Sequence, residues 1–368
     1  MAIQIKLRRD QSSIWDSDNP VLLAGEMAFQ FDSGTSQVGR FKIGNGSREW
    51  SRLPYFYAYQ DSAGGYPSGG GGSSFSWGGS RALAMGGAGG SGNINQIQYW
   101  DMTSASNAAD FGDLQSIKTE GTGLSNGTRG ICARGTNSSR TNEIDYVTVS
   151  TLGNAADFGN CTASRQNSGN GACDGTTGLL GGVDTDAGGF GNVIERITVA
   201  TAGNATDHGD LTTARIFVPL ANDATRYLAM GGYQNGVSPN YVNTIEYGTF
   251  TAGNAADFGD LINPAYGGGV ASDEVRALKA GGAAGSAVNQ IEYVTVQTLG
   301  NGTDFGDLIQ ANQAICGVSD GTRAQFFGNW SSRKNIHSVV IQTAANATDH
   351  GDLVTAAANI GGCSGAAS

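Results

Sequence analysis

Eleven aspartates are the residues of this sequence whose type and spacing could most readily do chemistry. They stand three residues apart as Asp110 and Asp113, Asp207 and Asp210, Asp257 and Asp260, Asp304 and Asp307, and Asp349 and Asp352, with Asp157 facing Asn160 in one further copy. Paired carboxylates can gather a hard cation or serve as the acid and base of a glycoside hydrolase. Ca2+ at these Asp-rich turns is the one cofactor the pattern could hold. Its spacing matches neither the EF-hand loop nor the Gly-Gly-x-Gly-x-Asp turn, and it gathers no larger oxygen ligand set. Structural capping is the better account. Asn and Asp side chains accept bonds from backbone N–H groups two residues on, glycine supplies positive φ, and Phe, or His208 and His350 in its place, packs inward.

Other catalytic arrangements are excluded more simply. The recurring Asp-Phe-Gly lacks the Gly-rich loop, strand lysine and His-Arg-Asp loop that a kinase requires. Of the 3 histidines, two sit in the recurring motif and His337 lies on a strand, which leaves no triad. No residue is named as catalytic, and the chain is expected not to be an enzyme. Another group suits carbohydrate binding. Phe190, Tyr233, Tyr241 and Trp330 can stack on the apolar side of a pyranose, while Asn137, Arg140 and Arg333 can hydrogen-bond its hydroxyls.

The elements that must position these residues are repeats. The string Asn-Ala-x-Asp-Phe-Gly-Asp, or a close variant, returns six times, its first Asp falling at 110, 157, 207, 257, 304 and 349, a period of 45 to 50 residues. Nineteen residues beyond each Asp lies a landmark, Arg129, Thr176, Arg226, Arg276 and Arg323, and Arg81 opens the first copy. A glycine doublet or its remnant follows five residues later, as at Gly86-Gly87 and Gly231-Gly232, and marks a strand ending at a tight turn. Then comes a β-branched Ile-acid-aromatic strand such as Ile291-Glu292-Tyr293. The sixth count of nineteen lands on Ser368, so a closed ring is expected, its tail Ala358–Ser368 pairing with the segment just before Arg81. No helical period runs through the repeats, and the fold class is all-β. A small N-terminal β-domain over 1–60 and a Gly/Ser-rich linker over 61–79 precede a six-bladed β-propeller over 80–368. Phe75 and Trp77, near the linker's end, are expected to dock on the ring. Nearly all length variation falls in the loop between doublet and Ile, which holds all seven sugar-suited residues and should gather on one face, opposite or lateral to the Asp-rich turns. The doublet and tyrosine strand weakly resemble kelch-type propeller repeats, although the kelch tryptophan is missing.

Formal charge is −11, with 7 Lys/Arg and 6 Asp/Glu in residues 1–60, so the acidity lies downstream. That field repels phosphate backbones and argues against nucleic acid as a partner. Apolar runs are far too short to span a bilayer, which argues against membrane insertion. The 5 cysteines are odd in number and widely spaced, as expected of small buried thiols.

The N-terminal module follows a different grammar. In order it carries Lys6-Leu-Arg-Arg9, Trp15, Asn19-Pro20, Ala24-Gly25-Glu26, Phe29, Asp32, Lys42-Ile-Gly-Asn-Gly46, Trp50 and Leu53-Pro-Tyr-Phe56. This series resembles the N-terminal module of tailed-bacteriophage tail-fibre proteins of the hyaluronidase-like or tropism-determinant kind. The resemblance implies a virion structural protein, made in the bacterial cytoplasm, whose residues 1–60 attach to other virion proteins or form a homo-oligomer, a trimer by analogy. The expected function is recognition of a host-surface receptor, a glycan or protein, by the propeller. The alternatives are a capsid decoration or connector protein whose propeller binds another virion protein, and an enzyme degrading surface polysaccharide.

Overall fold

Each Ile-acid-aromatic segment or its divergent counterpart becomes the third of four antiparallel strands in a sheet, with short extra strands added in blades one and two, and six such sheets stack as the blades of a β-propeller. The computed structural model describes residues 8–11, 21, 27–31, 39–43, 56–58, 79–165, 169–184, 189–331 and 333–367. In blade four the strands run from inside to outside as Leu220–Asn222, Arg226–Tyr233, Tyr241–Thr249 and Ala256–Asp260. Blade five repeats the order with Gly269–Ser272, Arg276–Ala280, Val288–Thr295 and Thr303–Asn312. The expected linker lies outside the described residues except Gly79, and so do Phe75 and Trp77. The chain divides into units Met1–Ser74 and Phe75–Ser368. Within the first, Arg8–Gln11 pairs parallel to Met27–Phe31, which continues antiparallel to Gly39–Ile43 and then Phe56–Ala58.

Blades pack face to face, so their middle strands are covered on both sides. Ile245 and Glu246, neighbours that point to opposite faces, are both wholly buried. The apolar core lies between blades: Leu228, Met230 and Phe258 of blade four pack with Val270, Val294 and Val296 of blade five. The same arrangement joins blade six to blade one, where Trp100 meets Phe327 edge-on at 4.9 Å and donates its indole N–H to Gln325 Oε1 at 2.6 Å.

The ring closes through the C-terminal tail. Gly361–Gly365 is the inner strand of blade one, with Gly361 opposite Met85 and Gly365 opposite Arg81. The tail therefore pairs with the strand that begins at Arg81, not with the segment before it. The inner strands approach closely at the axis, where a Cβ on Gly123 would lie 2.3 Å from Gly362 backbone atoms. Asn170, which pairs with the inner strand of blade two just before the chain enters blade three, crosses this space, its Oδ1 accepting the Gly317 N–H at 3.2 Å and the Val270 N–H at 3.3 Å. Counting by nineteens misplaces one landmark: Thr177, not Thr176, begins the second strand of blade three. The matching left-handed glycine is then Gly182, φ +61°, beside +66° at Gly86 and +69° at Gly231.

Candidate functional site

The aspartate motif forms the outer strand of each blade, and its asparagine works between blades. Asn254 Oδ1 accepts the Asp210 N–H at 3.1 Å, Asn301 that of Asp260 at 3.0 Å, and Asn107 that of Asp352 at 3.0 Å, which carries the belt across the closure. The expected bond to an N–H two residues on occurs within the motif at Asp157, which accepts from Gly159. The motif glycine has no room for a side chain, since a Cβ on Gly209 would lie 2.2 Å from the Gly253 carbonyl oxygen. Phe111, Phe158, Phe258 and Phe305 are buried as expected, and so are His208 and His350. Each histidine adds a bond that phenylalanine could not make, to the Thr249 carbonyl at 3.0 Å and the Asp101 carbonyl at 2.8 Å, both on the next blade. The first Asp of every pair is exposed, and among the described residues no three His, Cys, Asp or Glu side chains converge to hold a metal.

A further set of bonds between blades comes from the acid of the third strand. Asp145, Glu195, Glu246 and Glu292, with Gln98 and His337 at the same place in the other two blades, accept backbone N–H groups from the end of the preceding blade's outer strand or the crossover that follows it. The distances run from 2.7 Å at Glu292 to 3.3 Å at Asp145 and His337. Cations join three of them: Lys118 Nζ lies 2.9 Å from Asp145, Arg215 Nη2 lies 3.1 Å from Glu246, and Arg134 bonds Glu195. Burial raises the Glu292 carboxyl, and burial lowers His337 to about 4 and Lys279 to about 8, the last partly offset by Glu292. All five cysteines are free and buried, and burial pushes Cys132, Cys173 and Cys316 up to about 12, so the thiolate is suppressed.

One face of the ring carries the loops of variable length. Successive hairpins of an antiparallel blade alternate ends, so the variable loops share a face with the crossovers from each outer strand to the next inner strand. Bridges from Thr119 to Thr136, Ile216 to Tyr233 and Tyr266 to Ala283 tie the two sets together. The Gly-Asn-Ala turns lie at the opposite end of the blades.

At the axis of this face is a depression of 240 Å³, lined by Glu120, Phe217, Tyr266, Gln313, Trp330 and Asn359 together with two small residues. Of the seven residues suggested by the sequence, Trp330 alone lines it, and the residue is 61% exposed. Tyr233 stands beside it, edge-on to Tyr266 at 5.1 Å, and Phe190 packs edge-on against Tyr233 at 5.8 Å. Tyr241 pairs with Tyr233 across the blade-four hairpin, and Arg333 bonds Gln310 on an exposed rim. Asn137 and Arg140 belong to the blade-two hairpin, and they do not line the depression.

The sequence pattern does not reveal Glu120, Phe217, Tyr266, Gln313 and Asn359, because they lie on crossovers of nearly fixed length, which look like framework. Their signal is conformational. The residue seven places after the second motif Asp is left-handed at Glu120 (φ 60°), Phe217 (φ 54°), Gly267 (φ 66°), Ala314 (φ 59°) and Asn359 (φ 49°). Four of these are linked around the axis: the Glu120 N–H donates to Asn359 O at 2.8 Å, Asn359 to Ala314 O at 3.0 Å, and Ala314 to Gly267 O at 2.8 Å. A bulky aromatic held where a sibling crossover has glycine is strained, by about 1–3 kcal/mol, and such strain clusters at binding sites.

The sequence matches no family model and no curated protein, so the reading of this face rests on its own geometry. The fold is that of a six-bladed β-propeller whose closure uses the C-terminal strand.

Proposed function

We propose that the propeller is the recognition module of a bacterial-virus appendage such as a tail fibre, and that its axial face binds a host-surface receptor, most simply a glycan. The observation that carries this reading is the gathering of Phe217, Tyr266 and Trp330 with Gln313 and Asn359 around one depression on a rigid ring. Aromatic faces and amide side chains are the groups that sugars engage, and binding groups concentrate on loops positioned by a rigid scaffold. Residues 1–60 carry the fibre-like series, which supports attachment to other virion proteins or trimerisation for that module.

The test is a glycan array probed with the full chain and with a Tyr266→Ala/Trp330→Ala variant. Wild type should retain a discrete set of carbohydrates, and the variant should lose them while melting within a few degrees of wild type. Equal signals from both proteins would refute the assignment to this face.

A further inference from the structure

The depression has a charge as well as a shape. Glu120 lines it, and among the described residues no Lys, Arg or His does. Three aromatic side chains stand with that carboxylate, and the quadrupole of an aromatic ring attracts cations to its face. The residue types outside this group, Gln313 and Asn359, are neutral hydrogen-bonding amides. Beyond the depression, the whole chain carries −11, which favours the approach of positive ligands and opposes that of uronic acids, sialic acids and phosphates. The volume of 240 Å³ lies below the ~300–1,000 Å³ usual for drug-sized ligands, so it suits one sugar ring or one substituent.

We infer that the axial depression selects an alkylammonium group, presented by an amino sugar with an unacetylated amine or by a choline-type substituent. The inference rests on the reading of this face as the receptor-binding face, and adds the charge of what is bound. Glu120 supplies the counter-charge and Trp330 the exposed ring, while Phe217 and Tyr266 line the remaining wall. The strained φ of 60° at Glu120 and 54° at Phe217 is then accounted for: these two positions hold a side chain where the crossover of blade four to five has Gly267. In Glu120 the carboxylate is also oriented, since its Oε1 accepts from Asn359 Nδ2 at 3.4 Å.

The experiment uses the full chain with calorimetry and tryptophan fluorescence. Choline chloride is compared with its uncharged tert-butyl analogue, and glucosamine with N-acetylglucosamine and glucuronate. At least one ammonium probe should bind, by about tenfold or more over its uncharged counterpart, with glucuronate silent. Binding of choline alone assigns the substituent as the source, and binding of glucosamine alone assigns the amino sugar. Glu120→Gln keeps an acceptor for Asn359 and should weaken the ammonium probe about tenfold without moving the melting temperature. Trp330→Ala should abolish binding. Uncharged counterparts that bind as tightly as the ammonium probes, or an unchanged affinity in Glu120→Gln, would overturn the inference. If those uncharged sugars are lost in Trp330→Ala, the glycan reading of the face survives on its own. Silence of every probe overturns the charge selection, and the glycan array then decides the broader reading separately.

Discussion

Replacing Glu246 by alanine puts the junctions between blades to a quantitative test. Its carboxylate is wholly buried, accepts from the Thr212 N–H at 2.9 Å and Oγ1 at 2.6 Å, and pairs with Arg215 Nη2 at 3.1 Å. Alanine leaves the Arg215 charge buried without its counter-ion, a change that costs about 3–5 kcal/mol. A ring of roughly 290 residues unfolds with an entropy of about 0.6 kcal/mol/K, so the melting temperature should fall by about 5–8 °C. Arg215→Met should cost less, because Glu246 keeps both Thr212 donors. The double variant should be milder than the two single losses added together, since it removes the stranded charge. Scanning calorimetry of the four proteins gives the comparison. A Glu246→Ala melting point within about 2 °C of wild type, or strict additivity in the double variant, would refute the claim that this position fastens blade three to blade four.

Three further outcomes are expected. His337 is lowered by burial from 6.5 to about 4, so the unfolded chain takes the proton first and stability should fall as pH drops through that window, by up to about 3 kcal/mol. Denaturation at several pH values should show this slope flattened in His337→Gln, which has the side chain found at Gln98; parallel curves would count against it. Gly209→Ala drives a Cβ to 2.2 Å from the Gly253 carbonyl and should cost several kcal/mol, whereas Gly253→Ala meets nothing within 4 Å and should stay within about 0.5 kcal/mol of wild type. Deleting residues 1–60 should leave a soluble monomeric ring by light scattering, and a truncated chain that remains a trimer would move self-association to the propeller.

The repeat period and the fixed spans make the blade count legible in the sequence, because each blade must present the same outer strand and the same left-handed turn. The face carrying the variable loops is legible too, from antiparallel alternation. What a blade does to its neighbour is not. The acid of the third strand reads as the solvent side of an alternating strand, yet Glu195 and Glu246 are wholly buried, because a propeller blade is covered on both faces. The motif asparagine reads as a local turn cap, yet Asn254 reaches the preceding blade. The one-residue slip at Thr177 arises because blade three replaces the landmark arginine with a threonine pair, which leaves no chemical mark to count from. In the other copies that arginine is recognisable by what it binds, as where Arg226 lies 4.4 Å from the centre of the Tyr247 ring and donates to Val296 O of the next blade at 3.0 Å. The axial depression is half visible in the sequence. Trp330 stands in the shortest variable loop, but Phe217 and Tyr266 come together only when crossovers from different blades converge at the axis.

Recognition at the axial depression is decided by the structure of the full chain bound to a carbohydrate selected on the array. Ligand density should lie against Trp330 and Tyr266 within reach of Glu120. Density on the opposite face, among the Gly-Asn-Ala turns, or on the outer rim beside Arg333 would contradict the account.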